Sequence, residues 1–258
     1  MTDWLRIAEL SQPGFDLKEL PSRYVLKFGA RGDIGTSLAT VGGLGGTELH
    51  ETLATTNTIT HVSSASAADT SQTLTIAGHT IAAGVLTSVT QTVDLDGQTK
   101  VALGTALGRV ERAYVSTGAT SLAGVVYVYE DDTVTDGVPD TDSKVHLTIP
   151  VGDNQSLKAQ LAVAADHYLI VTAISGSVTK KTDAIVEFKL QKAATGGVWR
   201  TQYTWTSSTD GTSSAQIRFE PHLVIGPNSD VRVIAEASAA STPVSAQIHG
   251  IMATDKDR

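Results

Sequence analysis

Short runs of alternating apolar and polar residues, separated by glycine, aspartate and serine, fill most of the sequence after His50. An alternation of period two puts apolar side chains on one face of a β-strand and polar side chains on the other. No stretch keeps the 3.6-residue period of an amphipathic helix over a dozen residues. The pattern therefore predicts an all-β chain, an antiparallel β-sandwich resembling a jelly roll, and argues against a parallel α/β fold with crossover helices.

The predicted strands are evenly spaced and are separated by turn residues such as Gly196-Gly197 and Asp210-Gly211. The apolar run from Gly124 to Tyr129 predicts a strand that is buried on both faces, and Asp96-Gly97 predicts a two-residue hairpin turn. The predicted strands are residues 58–62, 73–77, 85–89, 92–95, 109–116, 123–130, 145–149, 167–175, 184–191, 198–206, 214–221, 230–237 and 244–253.

The first 48 residues differ from the rest of the chain. They contain Pro13, Pro21 and a glycine cluster at positions 42, 43, 45 and 46, and they show no sustained alternation. We interpret residues 1–48 as an extended N-terminal arm, which gains order only by lying on another surface. Residues 49–143 are then a β-rich N-terminal region, residues 144–253 a β-sandwich, and residues 254–258 a polar tail.

Isolated large apolar side chains lie along this arm among prolines and glycines that prevent a compact core. Such side chains can be buried one by one in grooves of a neighbouring subunit, where each gains from removal of its apolar surface from water. The residues that we expect to anchor the arm to a partner are Trp4, Leu5, Phe15, Tyr24, Leu26 and Phe28.

The charge and the cysteine content narrow the range of partners. A net charge of −8 repels nucleic acid and anionic lipid. The sequence has neither a run of ~20 apolar residues nor a signal-peptide pattern at its N-terminus, so no membrane partner is expected. Without cysteine the chain has no disulfide and no thiolate metal site, which fits synthesis in the reducing cytoplasm.

No arrangement of residues in the sequence predicts catalysis. There is no Gly-x-Ser-x-Gly nucleophile motif, no Walker-type loop, and no pair of carboxylates that could be assigned to glycoside hydrolysis. Histidines occur singly, without the spacing that puts two imidazoles on one metal ion. We therefore expect no enzymatic activity, no cofactor and no resident metal. The histidines are His50, His61, His79, His146, His167, His222 and His249.

One acidic segment, from Glu130 to Asp142, is the strongest candidate for a metal site. It contains six carboxylates and could hold Ca²⁺ if several of them converged. It lacks the ligand spacing of an EF-hand, and we interpret it as a solvated negative loop, with the calcium site as the alternative.

An aromatic stripe is formed by Trp199, Tyr203 and Trp205, which share one face if the segment is a regular strand. Such a stripe serves either as a carbohydrate platform or, more commonly, as a core seam or a contact between subunits.

Several segments resemble a family of tailed-phage virion proteins. The resemblance begins with the Lys-Phe-Gly and Asp-Ile segment and continues, in the family's order, through a serine-rich run to the C-terminal half. The Gly/Thr-rich hairpin that follows the serine run in the family is shorter here. The matching segments are residues 25–36, 62–70, 108–115, 149–157, 196–201 and 227–233.

This resemblance implies a virion structural protein. It suggests a capsid decoration or cement protein on the capsid surface, with the major capsid protein as its partner and synthesis in the host cytoplasm. For a decoration protein at a quasi-threefold position of a capsid we expect a homotrimer. The alternative function is a receptor- or glycan-binding module of a phage tail or head fibre, which would use the aromatic stripe.

Overall fold

A computed structural model describes residues 22–42, 54–118, 121–179, 183–210 and 213–254. Within these ranges the structure consists of β-strands and one three-residue 3-10 turn, Asp142–Lys144. The strands are β1 (Ser22–Ile34), β2 (Ala39–Thr40), β3 (Ile59–Ser64), β4 (Thr73–Ala82), β5 (Val85–Asp94), β6 (Val101–Leu107), β7 (Arg109–Thr117), β8 (Val126–Glu130), β9 (Val134–Thr135), β10 (Val138–Pro139), β11 (Val145–Ile149), β12 (Gln160–Val163), β13 (His167–Val178), β14 (Ile185–Ala194), β15 (Arg200–Ser208), β16 (Ser214–Ile225), β17 (Ser229–Ala237) and β18 (Thr242–Thr254).

Eight of these strands form a jelly roll. One sheet has the order β1-β18-β13-β16 and the other has the order β12-β17-β14-β15, with antiparallel pairing throughout. Counted along the jelly roll alone, the two sheets read 1-8-3-6 and 2-7-4-5, the order that results when a long antiparallel hairpin rolls into two facing sheets. The prediction of an all-β antiparallel sandwich is confirmed.

The two-residue strand β2 pairs with β17 of the jelly roll, and the other nine strands form a second, smaller sandwich inserted between the first two strands of the jelly roll. Its sheets have the orders β11-β8-β3-β6 and β5-β4-β7, and a short β9-β10 hairpin extends from it. The chain leaves the jelly roll after Gly42 and returns at Lys158, and these two residues form a β-bridge. The two passages therefore lie side by side, and the insertion leaves the jelly-roll sheets intact.

Each sandwich has its own core. In the jelly roll β18 alternates between buried and half-buried residues from Thr242 to Met252, and its buried side chains face Phe188, Leu190 and Val233 of the opposite sheet. The insertion encloses a separate apolar cluster that includes Ile59, Leu74 and Leu147. Strand β8 is buried on both faces, as its apolar sequence predicts: Val126 and Val128 face this cluster, whereas Tyr127 and Tyr129 face Val145.

The structure differs from the sequence prediction at the N-terminal boundary. Residues 22–34, which the sequence analysis assigned to the arm, are an edge strand that pairs with β18 over most of its length. The sandwich predicted for residues 144–253 therefore takes its first strand from residues 22–34. The predicted boundary at 143 is also wrong, because β11, which follows it, belongs to the insertion and not to the jelly roll. Strands β6 and β12 were also missed, because the sequence of β6 lacks a regular alternation and β12 has only four residues.

The turn predicted at Asp96-Gly97 is present but does not join two paired strands. The N–H of Thr99 donates to the carbonyl oxygen of Asp96, and the chain then crosses from β5 to β6, which belong to different sheets. The β4-β5 hairpin instead turns at Ala83 and Gly84, whose φ angles of 49° and 79° are those of a two-residue hairpin loop. No helix in the described ranges is long and apolar enough to cross a membrane.

Candidate functional site: the joint and groove between the two sandwiches

Residues from two of the segments that resemble the virion proteins, 108–115 and 227–233, meet where the insertion packs on the jelly roll. Arg109 of β7 forms a bidentate ion pair with Asp230 of β17, with Nε–Oδ1 and Nη2–Oδ2 distances of 2.7 and 3.1 Å. The side chains are 4% and 0% exposed. Arg109 Nη1 also donates to the carbonyl oxygens of Ala54 and Gly108. The ion pair thus joins the two sandwiches through hydrogen bonds in a dry environment.

Burial affects the carboxylate of this pair strongly. It raises the pKa of Asp230 above its ordinary value, and the hydrogen bond and charge of Arg109 offset part of that rise. A buried carboxylate is stable only while its cation is in place, because the desolvation of an unpaired charge costs several kcal/mol. The pair therefore ties the position of β7 to that of β17.

Glu111, two residues along the same strand, makes a second connection. Its Oε1 accepts the N–H of Ala162 in β12, and its carbonyl oxygen accepts a hydrogen bond from Lys27 Nζ in β1. Asn228 Oδ1 accepts the N–H of Leu86 at 2.8 Å, which adds a contact between the β5 strand and the turn before β17. Polar contacts at several points thus hold the insertion against both jelly-roll sheets.

A groove of about 470 Å³ remains beside this joint, between the start of β1 and the face of the β5-β4-β7 sheet. This volume lies within the ~300–1,000 Å³ of ordinary ligand pockets. Apolar side chains at its base include Val25, Leu161 and Met252, and Tyr24 and Leu26 stand at its rim with 66% and 48% exposure. The charged side chains that line it are Arg23, Lys27, Glu111 and Arg112, together with His79.

Within the groove, Ser88, His79 and Glu111 follow one another at contact distance. Ser88 Oγ lies 3.2 Å from His79 Nε2, and His79 Nδ1 lies 3.5 Å from Glu111 Oε1. His79 is 4% exposed, and Ser88 is its direct cross-strand neighbour in the β4-β5 hairpin. This is the order of a nucleophile, a base and an orienting carboxylate.

The surroundings favour a packing role for these three residues. Ser88 lies in the regular pairing of β5 rather than on a sharp turn, and a hydroxyl opposite an imidazole is an ordinary cross-strand pair. The Glu111 oxygen nearest His79 already accepts the N–H of Ala162. The sequence analysis did not connect these residues, although a hairpin centred on Ala83 and Gly84 would have placed His79 opposite Ser88.

The acidic segment at residues 130–142 forms no cage of carboxylates. Asp131 pairs with Lys100 Nζ at 2.6 Å, and Asp132 pairs with Lys144 Nζ at 2.9 Å. The hydrogen bonds from these lysines lower the pKa of both carboxylates. Across the described parts of the chain, no three side chains of histidine, aspartate or glutamate come together as metal ligands. The carboxylates of this loop are thus directed toward separate partners.

Glu130 at the start of the segment contacts a buried histidine. Its Oε1 lies 3.0 Å from Nε2 of His146, which is 2% exposed. Burial, together with the nearby charge of Lys158, lowers the pKa of His146 to about 4, although Glu130 acts in the opposite direction. His146 is therefore a neutral polar residue of the interior at neutral pH.

The aromatic stripe is divided in the structure. A bulge in β15, where the register shifts between Leu190 and Gln191 of β14, interrupts the regular alternation. Trp205 is buried and stacks on Phe188 at 5.2 Å, whereas Trp199 lies under the Arg232 guanidinium at 4.1 Å. Only Tyr203 is substantially exposed, at 38%, and it meets the edge of the Phe219 ring. Core packing accounts for Trp205, as the commoner interpretation predicted.

The predicted arm anchors fall into two groups. Trp4, Leu5 and Phe15 lie outside the described residues. Tyr24, Leu26 and Phe28 lie on β1, on the same face as their cross-strand neighbours His249 and Gln247. The Tyr24 hydroxyl contacts His249 Nδ1 at 2.8 Å. These three side chains therefore form an apolar strip along the edge of the jelly roll, and their role in partner binding stays a prediction.

Comparisons with known proteins add little to this description. No protein-family model matches the chain, and no curated protein does. Among solved structures, a VP2 subviral particle of infectious bursal disease virus matches at 11% identity with a TM-score of 0.22, covering 100% of this chain and 79% of the other. A structure of the Gx strain of that virus matches at 11% identity with a TM-score of 0.27, covering 98% and 77%. Likenesses this slight do not bear on the fold, which rests on the strand order.

The buried ion pair yields a first prediction. Asp230→Ala leaves the Arg109 guanidinium buried without its anion and is expected to lower the free energy of unfolding by about 3–5 kcal/mol. The double variant Arg109→Met with Asp230→Leu should lose much less than the sum of the single variants, because it buries no charge. Urea unfolding measures all of these values.

A matched control is the more exposed pair of Glu187 and Lys189, where Nζ and Oε1 are 2.9 Å apart. Glu187→Ala is expected to change the free energy of unfolding by no more than about 1 kcal/mol. A loss of less than about 1 kcal/mol for Asp230→Ala would contradict the importance of the buried pair.

The acidic loop yields a second prediction. EDTA is expected to leave the melting temperature unchanged within about 2 °C, because the carboxylates of the loop point to separate partners and do not form a metal site. Differential scanning calorimetry with and without EDTA measures the shift. A fall of more than about 5 °C that excess Ca²⁺ reverses would identify a calcium site, since ~1 kcal/mol moves the midpoint of a domain of this size by ~2–4 °C.

Proposed function

We propose that this chain is a non-enzymatic structural protein of a phage virion, and specifically a capsid decoration protein that stabilises the head through subunit and arm contacts. The observation that carries the proposal is that the motif residues contact one another inside the molecule. Arg109, Asp230, Trp199 and Arg232 belong to the segments that resemble the virion family, and they bind one another inside the molecule. Internal contacts of this kind make the subunit rigid, and a rigid subunit suits a structural role.

The jelly roll supports the same proposal at the level of fold. Viral capsid proteins and lectins are among the proteins built on this fold, although a fold alone does not fix a function. Stabilisation of a shell requires repeated contacts between subunits, and an interface of ~1,600 Å² per pair can supply them without chemistry. The apolar strip of Tyr24, Leu26 and Phe28 is a candidate for part of such an interface.

In this proposal the partners are the major capsid protein and further copies of the chain, arranged as a homotrimer on the capsid surface. The trimer follows from the expected quasi-threefold position and from the closed symmetry of most oligomers. The anchors Trp4, Leu5 and Phe15 precede the jelly roll and would bind a neighbouring subunit or the capsid lattice. The jelly roll and its insertion would form the body of the subunit.

A receptor- or glycan-binding module is the second candidate function. The observation that favours it is the exposed Tyr203, which meets Phe219 at a ring distance of 5.4 Å on the two adjacent strands β15 and β16. An exposed aromatic ring on a β-surface can stack on a sugar. The other two residues of the predicted stripe are used for internal packing, which leaves a small platform.

The third prediction concerns binding of the purified protein to heads that lack it. We expect saturable binding, and a trimer mass by light scattering. The full-length variant Trp4→Ala, Leu5→Ala and Phe15→Ala should bind at least about a hundredfold more weakly, because each buried large apolar side chain contributes ~1.5–3 kcal/mol.

The matched control changes three polar residues of the same segment, Thr2, Ser11 and Gln12, to alanine. It should bind heads as the unchanged protein does. Equal occupancy of the heads by the anchor variant would show that the arm is dispensable. The second candidate function would be favoured if the protein did not bind heads but bound host cells, and if Tyr203→Ala abolished the binding to cells.

The absence of enzymatic turnover is the fourth prediction, and the Ser88, His79 and Glu111 arrangement defines its sharpest test. We expect hydrolysis of activated esters by the purified protein to equal the buffer rate, and Ser88→Ala to leave that rate unchanged. A rate well above buffer that Ser88→Ala and His79→Ala both abolish would contradict the proposal and identify the groove as a hydrolase site. The matched control is Thr87→Ala, at the residue that precedes Ser88 on the same strand.

A further inference from the structure

We propose that the groove beside the joint receives the N-terminal segment, residues 1–21, of a second copy of this chain. The inference rests on the proposed function, since it names the surface through which neighbouring subunits would hold one another.

The groove has a positive surplus in a chain whose net charge is −8. Arg23, Lys27 and Arg112 line it, against a single carboxylate, Glu111. Glu111 Oε1 already accepts the N–H of Ala162. Arg112 extends over the Tyr114 ring at 4.7 Å, and that contact orients its guanidinium. The groove thus favours an acidic occupant.

The base of the groove sets a second requirement. Val25, Leu161 and Met252 are apolar, and the exposed rims of Tyr24 and Leu26 extend this surface outward. Tight binding therefore calls for a segment that combines acidic residues with large apolar side chains. Burial of such side chains supplies the affinity, and the charges select the partner.

Residues 1–21 meet both requirements. They contain four acidic and two basic side chains, which gives a net charge of −2, and their large apolar residues include Trp4, Leu10 and Phe15. β1 is the edge strand of its sheet. An extended segment can therefore be added alongside β1, where pairing of backbone groups would supplement the side-chain contacts.

The direction of the chain favours a second copy as the source of the segment. β1 begins at Ser22, and Arg23 already lines the groove. To pair with β1 in its own groove, the segment would have to turn back on itself before Ser22, whereas the segment of a second copy can enter the groove without such a turn. A segment of 21 residues can span up to ~70 Å, which is enough to reach a neighbouring subunit.

Disulfide trapping in the full-length chain tests the proposal, because the protein contains no cysteine. One copy carries Phe15→Cys and a second copy, with a tag of different mass, carries Thr90→Cys, at an exposed position that lines the groove. The two are co-expressed, oxidised and separated on a non-reducing gel. We expect a disulfide-linked pair of unequal masses as the main product. The matched control replaces Thr90→Cys with Ser214→Cys. Ser214 is also exposed and lines a pocket at the other edge strand of the β1 sheet, so this control should give little of the linked pair.

Charge reversal provides a second measurement. Arg112→Glu should lower the yield of the linked pair by about tenfold, because it places like charges in contact. Glu19→Lys in the segment should restore part of that yield. A double variant, Phe15→Cys with Thr90→Cys in one chain, that forms only an internal disulfide would overturn the proposal in favour of the chain's own groove.

The proposal also fails if no linked pair forms while both thiols react with a maleimide and the variants melt as the unchanged protein does. A trimer by light scattering together with that result would leave the proposed function standing and reject only the groove as the contact. A monomer that does not bind heads would instead reject the proposed function itself.

Discussion

The buried ion pair of Arg109 and Asp230 is the interaction on which the architecture depends. The insertion is connected to the jelly roll by two passages of chain that lie side by side at Gly42 and Lys158, and such a connection alone would act as a hinge. A bidentate pair in a dry environment is directional, and neither charge can stay buried without its partner except at a cost of several kcal/mol. It therefore fixes the orientation of one sandwich on the other.

The same joint explains the unusual sequence of β17. A strand in a sandwich normally has one wet face, yet β17 is buried on nearly every residue, and Asp230 and Arg232 are buried with the rest. One face of this strand packs in the jelly-roll core, and the other meets the insertion and Trp199. Polar residues on that second face are stable because each has a partner from another part of the chain.

The groove is the part of the joint that remains open. Its walls belong to different sheets, so its shape is set by the angle that the ion pair and the Glu111 contacts impose. Rigid strands surround it, and Ser88 and His79 are held by regular pairing rather than by a strained turn. These features favour binding of a complementary segment over chemistry, which generally needs an activated nucleophile and donors for a developing charge.

Alternation of apolar and polar residues determined the class of the fold, and the sequence alone located most strands, including the fully buried β8, because period-two burial is a local property. It missed β1, because that strand carries Lys27, Gly29 and Arg31 where an apolar stripe would be expected. Only the tertiary structure decided the strand order, the insertion and the groove. Arg109 and Asp230 lie 121 residues apart, and no local pattern can indicate which distant charge will neutralise a buried one.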